Sequence, residues 1–385
     1  MSTKFSIEES SDGYKRIYGY DKYLPRWYLK RRRALLDYLA QPVLDQIEGK
    51  QIIRFSNSGI VLSWAQVLNQ LGYIVDVINW DDRGFSPKED YDLVVFHGGK
   101  NFDSIYKKIN NKPQTIYFSS GSYWKFSNTR EDKRIKDFMR RHGTKIERDR
   151  YVYDSEDPVN TVADGIIVLG DPSMKDTYPK EYTSIFTINN ASYPDEHFTS
   201  AHKTKDYDKA RKNFLFFAGS GNIHKGLDLL IDAFKDLDAN LYIMTAPDKK
   251  VMAVFKSELK QSNIHMVGEV PMRTEKFYEI VDKCAYVILP SCSEGQAGSV
   301  VECMNQGLIP IVSKETRLDA TDYGVVLNNN SISMIKRTVI AMAQLDCAKV
   351  KKMAEITREV ALREHSAEKF RKNLKKTIRG IITAT

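Results

Sequence analysis

The sequence has little that would cross-link it through disulfides or metal ions. It contains only four cysteines and seven histidines in 385 residues. None of the cysteines stands in C-x-x-C spacing, so we predict neither a disulfide framework nor a zinc site. There is also no H-E-x-x-H motif, no three-ligand cluster and no EF-hand loop, so we expect no bound metal. The cysteines are Cys284, Cys292, Cys303 and Cys347.

Long apolar runs are also missing. No stretch approaches the length that a transmembrane helix needs, and residues 1–15 lack the apolar core of a signal peptide. Together with the sparse cysteines, these absences predict a cytoplasmic protein.

The positive charge is concentrated near the start of the sequence. The net charge is +8, and Lys15–Arg33 carries eight Lys or Arg against one acid, Asp21. A solvated helix face would explain this. Alternatively, Trp27 and Tyr28 among the charges indicate a surface for anionic lipid or an anionic acceptor, which would place the protein at the inner face of a membrane. No nucleic-acid motif occurs and the remaining sequence is charge-balanced, so we do not expect a nucleic-acid partner.

The order of apolar segments predicts an α/β protein with two domains, which also suits its length. Strands alternate with helices up to about residue 190, and the alternation restarts after Thr199–Lys212, which reads as a linker because it has almost no apolar content. The predicted strands of the second half fall near 213–218, 240–245, 264–267, 285–289, 308–312 and 324–327. Its predicted helices are Gly226–Phe234, Arg273–Cys284, Ser331–Leu345, Val350–Leu362 and Phe370–Ile382.

In the first half, apolar residues at helical spacing predict a helix from Pro25 to Gly49. A strand at Gln51–Phe55, a loop at Ser56–Gly59, a helix at Ile60–Leu71 and a strand at Tyr73–Asn79 follow. The loop lies where doubly wound sheets bind ligands, so Gly59 is a candidate binding residue, although a turn alone would also explain it.

The stretch Val287–Val312 predicts an anion-binding site. An apolar run ends at Pro290, a loop follows, and a helix opens near Gly298. Small residues let a ligand approach the backbone, and the free N–H groups of the first helical turn point at it. Ser299 can cap this helix or donate to a phosphate.

Two carboxylates, Glu294 and Glu302, flank that turn. Carboxylates accept hydrogen bonds from sugar and ribose hydroxyls, whereas phosphates between them would go to the amides. Alternatively, Glu294 is a loop carboxylate that caps the following helix, and Glu302 is a plain residue of the helix surface.

A second candidate element is Phe214–Phe234, a strand, a glycine-containing loop and a helix. Lys225 precedes Gly226 at the helix start, where a lysine places a point charge over bound phosphates; an ordinary surface lysine is the alternative. The letters GSGNIHKG also suggest a dinucleotide motif. His224 stands in place of its third glycine and the next strand ends in Thr245 rather than an acid, so we do not predict NAD binding.

These two elements resemble the family 4 retaining glycosyltransferases, also called glycosyl transferases group 1, which have the GT-B fold. The resemblance rests on E-G-x-x-x-x-x-x-E followed by G-x-x-P-[IV]-[IV], and on the strand–loop–K-G–helix element, and it covers about residues 190–345. It implies two Rossmann-like domains facing across a cleft. Residues 1–198 would form the acceptor domain, 199–365 the nucleotide-sugar domain, and 366–385 a helix that packs back on the first domain.

The implied activity is transfer of a sugar from a UDP- or GDP-type nucleotide sugar to a saccharide or lipid-linked acceptor. Transfer would retain the anomeric configuration and need no metal or other cofactor, in surface polysaccharide or glycoconjugate biosynthesis. The resemblance puts Glu294 beside the transferred sugar, Lys225 on the diphosphate and Glu302 on the ribose. The further candidate donor-binding residues are Gly219, Ser220, Gly295, Gly298 and Ser299.

The sequence departs from the family pattern at two places. The arginine that commonly stands five positions before the lysine is Ser220 here, so His224 or a basic residue of the other domain would have to supply the charge. The histidine expected after the strand Gln114–Phe118 is replaced by serines. His97, after the preceding strand, is the candidate catalytic substitute, although a lone histidine at a strand end is also common as a structural residue. These departures keep two alternatives open, another GT-B nucleotide-sugar enzyme (an epimerase or hydrolase) and a catalytically silent nucleotide-binding protein.

Overall fold

The computed structural model describes residues 5–28, 32–52 and 55–384. Contacts divide the chain into two compact units. Unit 1 consists of Met1–Ser120, Tyr153–Tyr193 and Ala367–Thr385, and unit 2 of Gly121–Val152 and Pro194–Ser366. The segment 121–152 therefore lies with unit 2, although the sequence assigned it to the first domain.

Unit 1 is built on an eight-stranded sheet with the order β1-β2-β4-β3-β5-β6-β7-β8. The β1–β2 and β2–β4 pairs are antiparallel, and the other pairs are parallel. Central strands such as β5 are buried along their whole length, which is typical of parallel sheets covered on both faces. The strands are β1 Ser6–Glu9, β2 Lys15–Tyr20, β3 Arg32–Tyr38, β4 Tyr73–Asn79, β5 Leu93–Phe96, β6 Gln114–Ser119, β7 Gly165–Leu169 and β8 Ile185–Ile188.

Unit 2 is built on a six-stranded, wholly parallel sheet with the order β11-β10-β9-β12-β13-β14. All six strands were predicted from the sequence at these places. They are β9 Asn213–Phe217, β10 Asn240–Met244, β11 Ile264–Met266, β12 Tyr286–Leu289, β13 Ile309–Ser313 and β14 Val325–Leu327.

Helices connect the strands of both sheets. In chain order the described helices are α1 Gln41–Ile47, α2 Asn57–Gln70, α3 Phe102–Tyr106, α4 Trp124–His142, α5 Asp157–Val162, α6 His197–Thr204, α7 Tyr207–Ala210, α8 Leu227–Phe234, α9 Lys249–Val254, α10 Glu275–Lys283, α11 Gly298–Asn305, α12 Ile332–Ala343, α13 Cys347–Glu364 and α14 Ala367–Ala384. Short 3₁₀ turns occur at Pro172–Thr177, Glu258–Lys260 and Lys314–Thr316.

Helix α4 belongs to unit 2 because its side chains are buried there. Phe138 lies in the core cluster of the second sheet. Arg141 forms ion pairs with Asp228 and Asp232, both on α8. A domain boundary drawn from the order of strands and helices could not assign α4 to unit 2, since this assignment depends on contacts between distant residues.

The first half departs from the sequence prediction at three places. The helix expected from Pro25 to Gly49 is instead the strand β3 followed by the short helix α1. The expected strand Gln51–Phe55 is not a strand at its described residues, and residues 53 and 54 lie outside the described part. The expected loop Ser56–Gly59 is the start of α2, with Ser56 as its N-cap.

The predicted linker Thr199–Lys212 is also wrong, because it contains the end of α6 and the whole of α7. Two of its residues, Tyr207 and Ala210, are buried in the core of unit 2. These two side chains, three positions apart, pack this otherwise polar segment against the core of unit 2.

Some of the basic residues of the N-terminal region are neutralised by carboxylates within unit 1. Arg16 pairs with buried Asp82 at 2.6 Å, and Arg33 pairs with buried Asp76 at 2.9 Å. The guanidinium of Arg32 lies over the ring of Tyr73. The region therefore offers fewer free cations than its sequence indicates, and residues 29–31 lie outside the described part. Among residues 5–28, 32–52 and 55–384, no helix combines the length and apolarity needed to cross a membrane.

Candidate functional site

The structure brings together two of the predicted site residues, Lys225 and Glu294. The Lys225 ammonium donates to Glu294 Oε1 at 2.5 Å, and both side chains are about nine-tenths buried. Lys225 ends the loop between β9 and α8, and Glu294 lies in the loop between β12 and α11. Because β9 and β12 are neighbouring parallel strands, their carboxyl ends meet at one edge of the sheet, where open α/β sheets bind ligands.

The Glu294 carboxylate is held in its charged form. Burial opposes its ionisation, but the positive charges of Lys225 and Arg150 lower the pKa of Glu294 to about 2. Glu294 is therefore an anion at neutral pH. It is suited to accepting hydrogen bonds from hydroxyl groups or to stabilising positive charge, rather than to donating a proton.

The loop that carries Glu294 is fixed on several sides. Ser291 Oγ donates to Glu294 Oε1 at 2.9 Å, and the Glu294 N–H donates to the carbonyl of Glu315 at 3.0 Å. The hydroxyl of Ser122 donates to the Glu294 carbonyl at 2.6 Å. These contacts hold the carboxylate in place before any ligand binds.

His224 is neutral in this environment. Burial lowers the pKa of its ring to about 4. Its Nε2–H donates to the carbonyl of Ser293 at 2.5 Å, and its buried Nδ1 atom has no hydrogen-bond partner among the described residues. The sequence suggested His224 as a source of positive charge for a diphosphate, and a neutral ring does not supply it.

Helix α11 begins at Gly298, as predicted, and its first turn has no side-chain cap. Its N-cap residue is Ala297, so neither Glu294 nor Ser299 caps the helix. Gly298 and Ser299 are half-buried, and Gly295 in the preceding loop is buried. The Val300 N–H already donates to the Ala297 carbonyl at 3.1 Å, so among the described residues the amides of Gly298 and Ser299 are the ones that α11 offers to an anion, next to the loop that holds Glu294.

The glycine after Lys225 is required by packing. Gly226 has a φ of +84°, and a Cβ atom there would lie 2.6 Å from the carbonyl oxygen of Pro290. The absence of a side chain lets the β9–α8 loop lie directly against the end of β12. This contact brings Lys225 within reach of Glu294.

Arg150 is the residue of this site that the sequence did not reveal. Its side chain lies against Gly221, where a Cβ atom would approach Arg150 Cγ to 2.8 Å, and its charge acts on both Glu294 and His224. Gly219 and Ser220, in the same loop, are exposed. Arg150 thus supplies positive charge beside the loop in which Ser220 replaces the expected arginine.

Glu302 lies apart from this pair, in a buried ion-pair network. Its Oε1 atom accepts from Arg273 Nε at 2.7 Å, and Asp195 lies 3.7 Å from the same nitrogen. Burial raises the pKa of Glu302 against the opposing effect of Arg273. Its Oε2 atom is buried and has no hydrogen-bond partner among the described residues. A ribose contact by Glu302 stays a prediction.

The two candidates in unit 1 are Gly59 and His97. Gly59 lies inside α2, and a Cβ atom there would come within 2.7 Å of the Phe55 ring, so packing accounts for this glycine. His97 Nδ1 lies 2.9 Å from the Phe118 carbonyl, which fixes it as the protonated nitrogen of the neutral ring. Burial lowers the pKa of His97 to about 4. His97 is therefore neutral, and a catalytic role for it stays a prediction.

No group of three or more His, Cys, Asp or Glu side chains arranged to hold a metal ion occurs in the part of the chain that the structure describes.

Comparison with solved structures supports the fold. Sucrose-phosphate synthase from Thermosynechococcus elongatus superposes with a TM-score of 0.63 at 12% identity, over 92% of this chain and all of that one. A variant of TarM from S. aureus, in complex with fondaparinux, α-GlcNAc-glycerol and UDP, gives 0.52 at 14% identity, over 84% of this chain and 59% of that one. The α/β architecture of the GT-B fold, predicted from the sequence, is confirmed.

The family comparison is confined to the second half of the chain. Residues 200–360 match the family described as glycosyl transferases group 1, which confirms the resemblance to that group over the region that carries both motifs. Over 99 residues the chain is 29% identical to the uncharacterized glycosyltransferase MJ1178 of Methanocaldococcus jannaschii. That match covers 26% of this chain and 28% of that protein.

Proposed function

We propose that this protein is a glycosyltransferase that transfers a sugar from a nucleotide-sugar donor to an acceptor, with retention of anomeric configuration. The observation that carries the proposal is the buried Lys225–Glu294 pair at the carboxyl edge of a parallel sheet. The uncapped first turn of α11 next to it supports a phosphate-bearing ligand. The match of residues 200–360 to glycosyl transferases group 1 supports the reaction class.

Each residue of the pair has a distinct role in this proposal. Lys225 and the first amides of α11 bind the donor diphosphate and stabilise the charge that develops on it as the leaving group. Glu294 stays ionised, accepts hydrogen bonds from the transferred sugar and stabilises positive charge at its anomeric carbon. Arg150 adds positive charge at the diphosphate, in the place of the arginine that Ser220 replaces.

The donor class is a UDP- or GDP-sugar. The solved TarM variant binds UDP together with glycosides, which supports a uridine nucleotide and a saccharide acceptor here as well. We extend the proposal to a saccharide or lipid-linked acceptor in surface polysaccharide or glycoconjugate synthesis, on the family resemblance.

The test begins with a thermal-shift screen of UDP, GDP, ADP and their sugars, because a ligand that binds only the native state raises the melting temperature. We expect one nucleotide to stabilise the protein and Lys225→Met to remove that effect. Lys256→Met, at an exposed lysine of unit 2, is the matched control and should leave it unchanged. No stabilisation by any nucleotide would overturn the proposed donor site.

Product analysis then distinguishes the reaction. Sugar transfer to an acceptor, with retention seen by NMR of the new linkage, supports the proposal. Turnover of the donor without any acceptor would indicate an epimerase or hydrolase instead. Nucleotide binding without transfer to a broad acceptor panel would indicate a catalytically silent protein.

Transfer should not depend on a divalent metal ion. In the proposed mechanism Lys225, Arg150 and backbone amides neutralise the diphosphate, so no metal ion is needed for that purpose. We expect the rate to be the same in EDTA and in added Mg²⁺ or Mn²⁺. A rate that falls in EDTA and returns with metal would contradict this part of the proposal.

A further inference from the structure

We propose that unit 2 contains a second binding site, for a phosphate-bearing saccharide, in a cavity lined by α4 and by the loops after β12, β13 and β14. We call it the α4 cavity. It has a volume of about 650 Å³, within the range of small-molecule sites. Its lining residues include Arg130, Lys133, Arg134, Lys314, Asn328 and Asn330.

The α4 cavity has an excess of positive charge. Six Lys or Arg residues line it against two acids, Asp137 and Glu315. Arg140 pairs with Asp137 at 3.0 Å, and Arg130 lies 3.7 Å from Glu315. Arg141 pairs with aspartates of α8.

Three cations of the lining are left without a direct carboxylate partner among the described residues. Lys133 and Lys314 are exposed and make no ion pair there. Arg134 is over nine-tenths buried and donates only to the carbonyls of Ile223 and Pro290, although Asp228 is near enough to act on it electrostatically. A buried guanidinium without a direct counter-charge is costly, and an anion in the cavity would supply one.

The asparagine run after β14 indicates that the ligand also carries hydroxyl groups. Asn328 and Asn329 are exposed and line the cavity, and Asn330 Nδ2 donates to the Ser291 carbonyl at 3.2 Å. An exposed amide offers donors and an acceptor, and sugar hydroxyls pair with both. Cations for a phosphate and amides for hydroxyls are the recognition chemistry of a sugar phosphate.

The α4 cavity is separate from the Lys225–Glu294 pair but shares a wall with it. Neither Lys225 nor Glu294 lines the cavity. Cys292 does, and its N–H donates to the His224 carbonyl at 2.9 Å. Binding of a ligand in the α4 cavity does not depend on the proposed transferase activity. It can therefore be tested by direct titration, whatever the outcome for that activity.

The test is calorimetric titration of the full chain with glucose 6-phosphate, inorganic phosphate and glucose. We expect glucose 6-phosphate to bind more tightly than phosphate, and glucose not to bind measurably. The double variant with Lys133→Ala and Lys314→Ala should bind glucose 6-phosphate at least about tenfold more weakly, since each substitution removes a charge-assisted hydrogen bond. Both lysines are exposed, so the variant should fold normally.

Two controls assign the binding to the α4 cavity. Lys136→Ala removes an exposed lysine of the same helix that does not line the cavity, and Lys225→Ala removes the cation of the other site; both should leave the affinity for glucose 6-phosphate unchanged. An unchanged affinity in the double variant, or loss of binding in Lys225→Ala alone, would overturn the proposal. Equal affinity for phosphate and glucose 6-phosphate would overturn its saccharide part.

Discussion

Arg150 reaches the candidate site from a segment about seventy positions away from the loop it contacts. The sequence showed that Ser220 lacks the charge of the family arginine, but no spacing connects residue 150 with residue 220. Lys225 and Glu294 could be predicted because each lies in a short motif with its own strand and helix. A contact between distant loops becomes visible only when the chain is folded.

We predict that Arg150→Ala lowers the rate of sugar transfer by about tenfold to a hundredfold, since the proposed mechanism uses the charge of Arg150 to stabilise the leaving diphosphate. Stability should change little, because Arg150 is exposed. Arg150→Lys should recover part of the rate. Steady-state kinetics with the identified donor are the measurement, and exposed Lys145→Ala is the control. An unchanged rate in Arg150→Ala would show that the charge is not used.

The ionisation of Glu294 predicts a dependence of stability on pH. Its folded pKa of about 2 lies below the ordinary value of 4.5, so its contribution to stability is complete above about pH 4.5 and is lost as the pH falls towards 2. Glu294→Gln has no such group. When the pH is lowered from about 5 to about 3, the free energy of unfolding measured with urea should therefore fall less for the variant than for the wild type. Equal losses would mean that the Glu294 carboxylate is not stabilised by its neighbours.

Among the elements, the sheet of unit 2 was the most predictable part of the chain. Its strands are short apolar runs separated by helices with polar faces, and this alternation can be read directly. Strand β3 was not predictable in the same way. It is buried over Ala34–Tyr38, so it shows no alternation of polar and apolar residues. Its leucines together with Val43 of α1 gave a false helical spacing.

The β9–α8 loop provides a prediction at this scale. Gly226→Ala should reduce the free energy of unfolding by about 1–3 kcal/mol or more, because a side chain would be strained at positive φ and would meet the Pro290 carbonyl. Gly219→Ala is the matched control, with nothing within 4 Å of the added carbon, and should change stability by no more than about 0.5 kcal/mol. Urea denaturation measures both variants. Equal stabilities would contradict the close packing of this loop.

At the scale of the whole molecule, the chain builds two separate cores. Helix α14 contributes five apolar residues to the core of unit 1, although it follows the last strand of unit 2 in sequence. Its apolar spacing predicted a helix, and only the family resemblance indicated where it would pack. The exchange of 121–152 into unit 2 had no signal in the sequence at all.

We expect Phe370→Ala to destabilise unit 1 by about 3–5 kcal/mol, since Phe370 is almost fully buried and packs edge-on against Phe55. Lys372→Ala, at an exposed position of the same helix, should have little effect. Hydrogen exchange with mass spectrometry should place the loss of protection in peptides of unit 1. Loss confined to peptides from 213–345 would contradict this assignment of α14.

The division of the chain has a consequence for its synthesis on the ribosome. Most strands of unit 1 emerge before those of unit 2, yet the core of unit 1 needs α14, which emerges after every strand of unit 2. Helix α4, in contrast, leaves the ribosome before the sheet that it covers exists. Of the two units, the one whose synthesis starts first is therefore completed last. Apolar surface of the unit 1 core stays exposed until α14 has been synthesised.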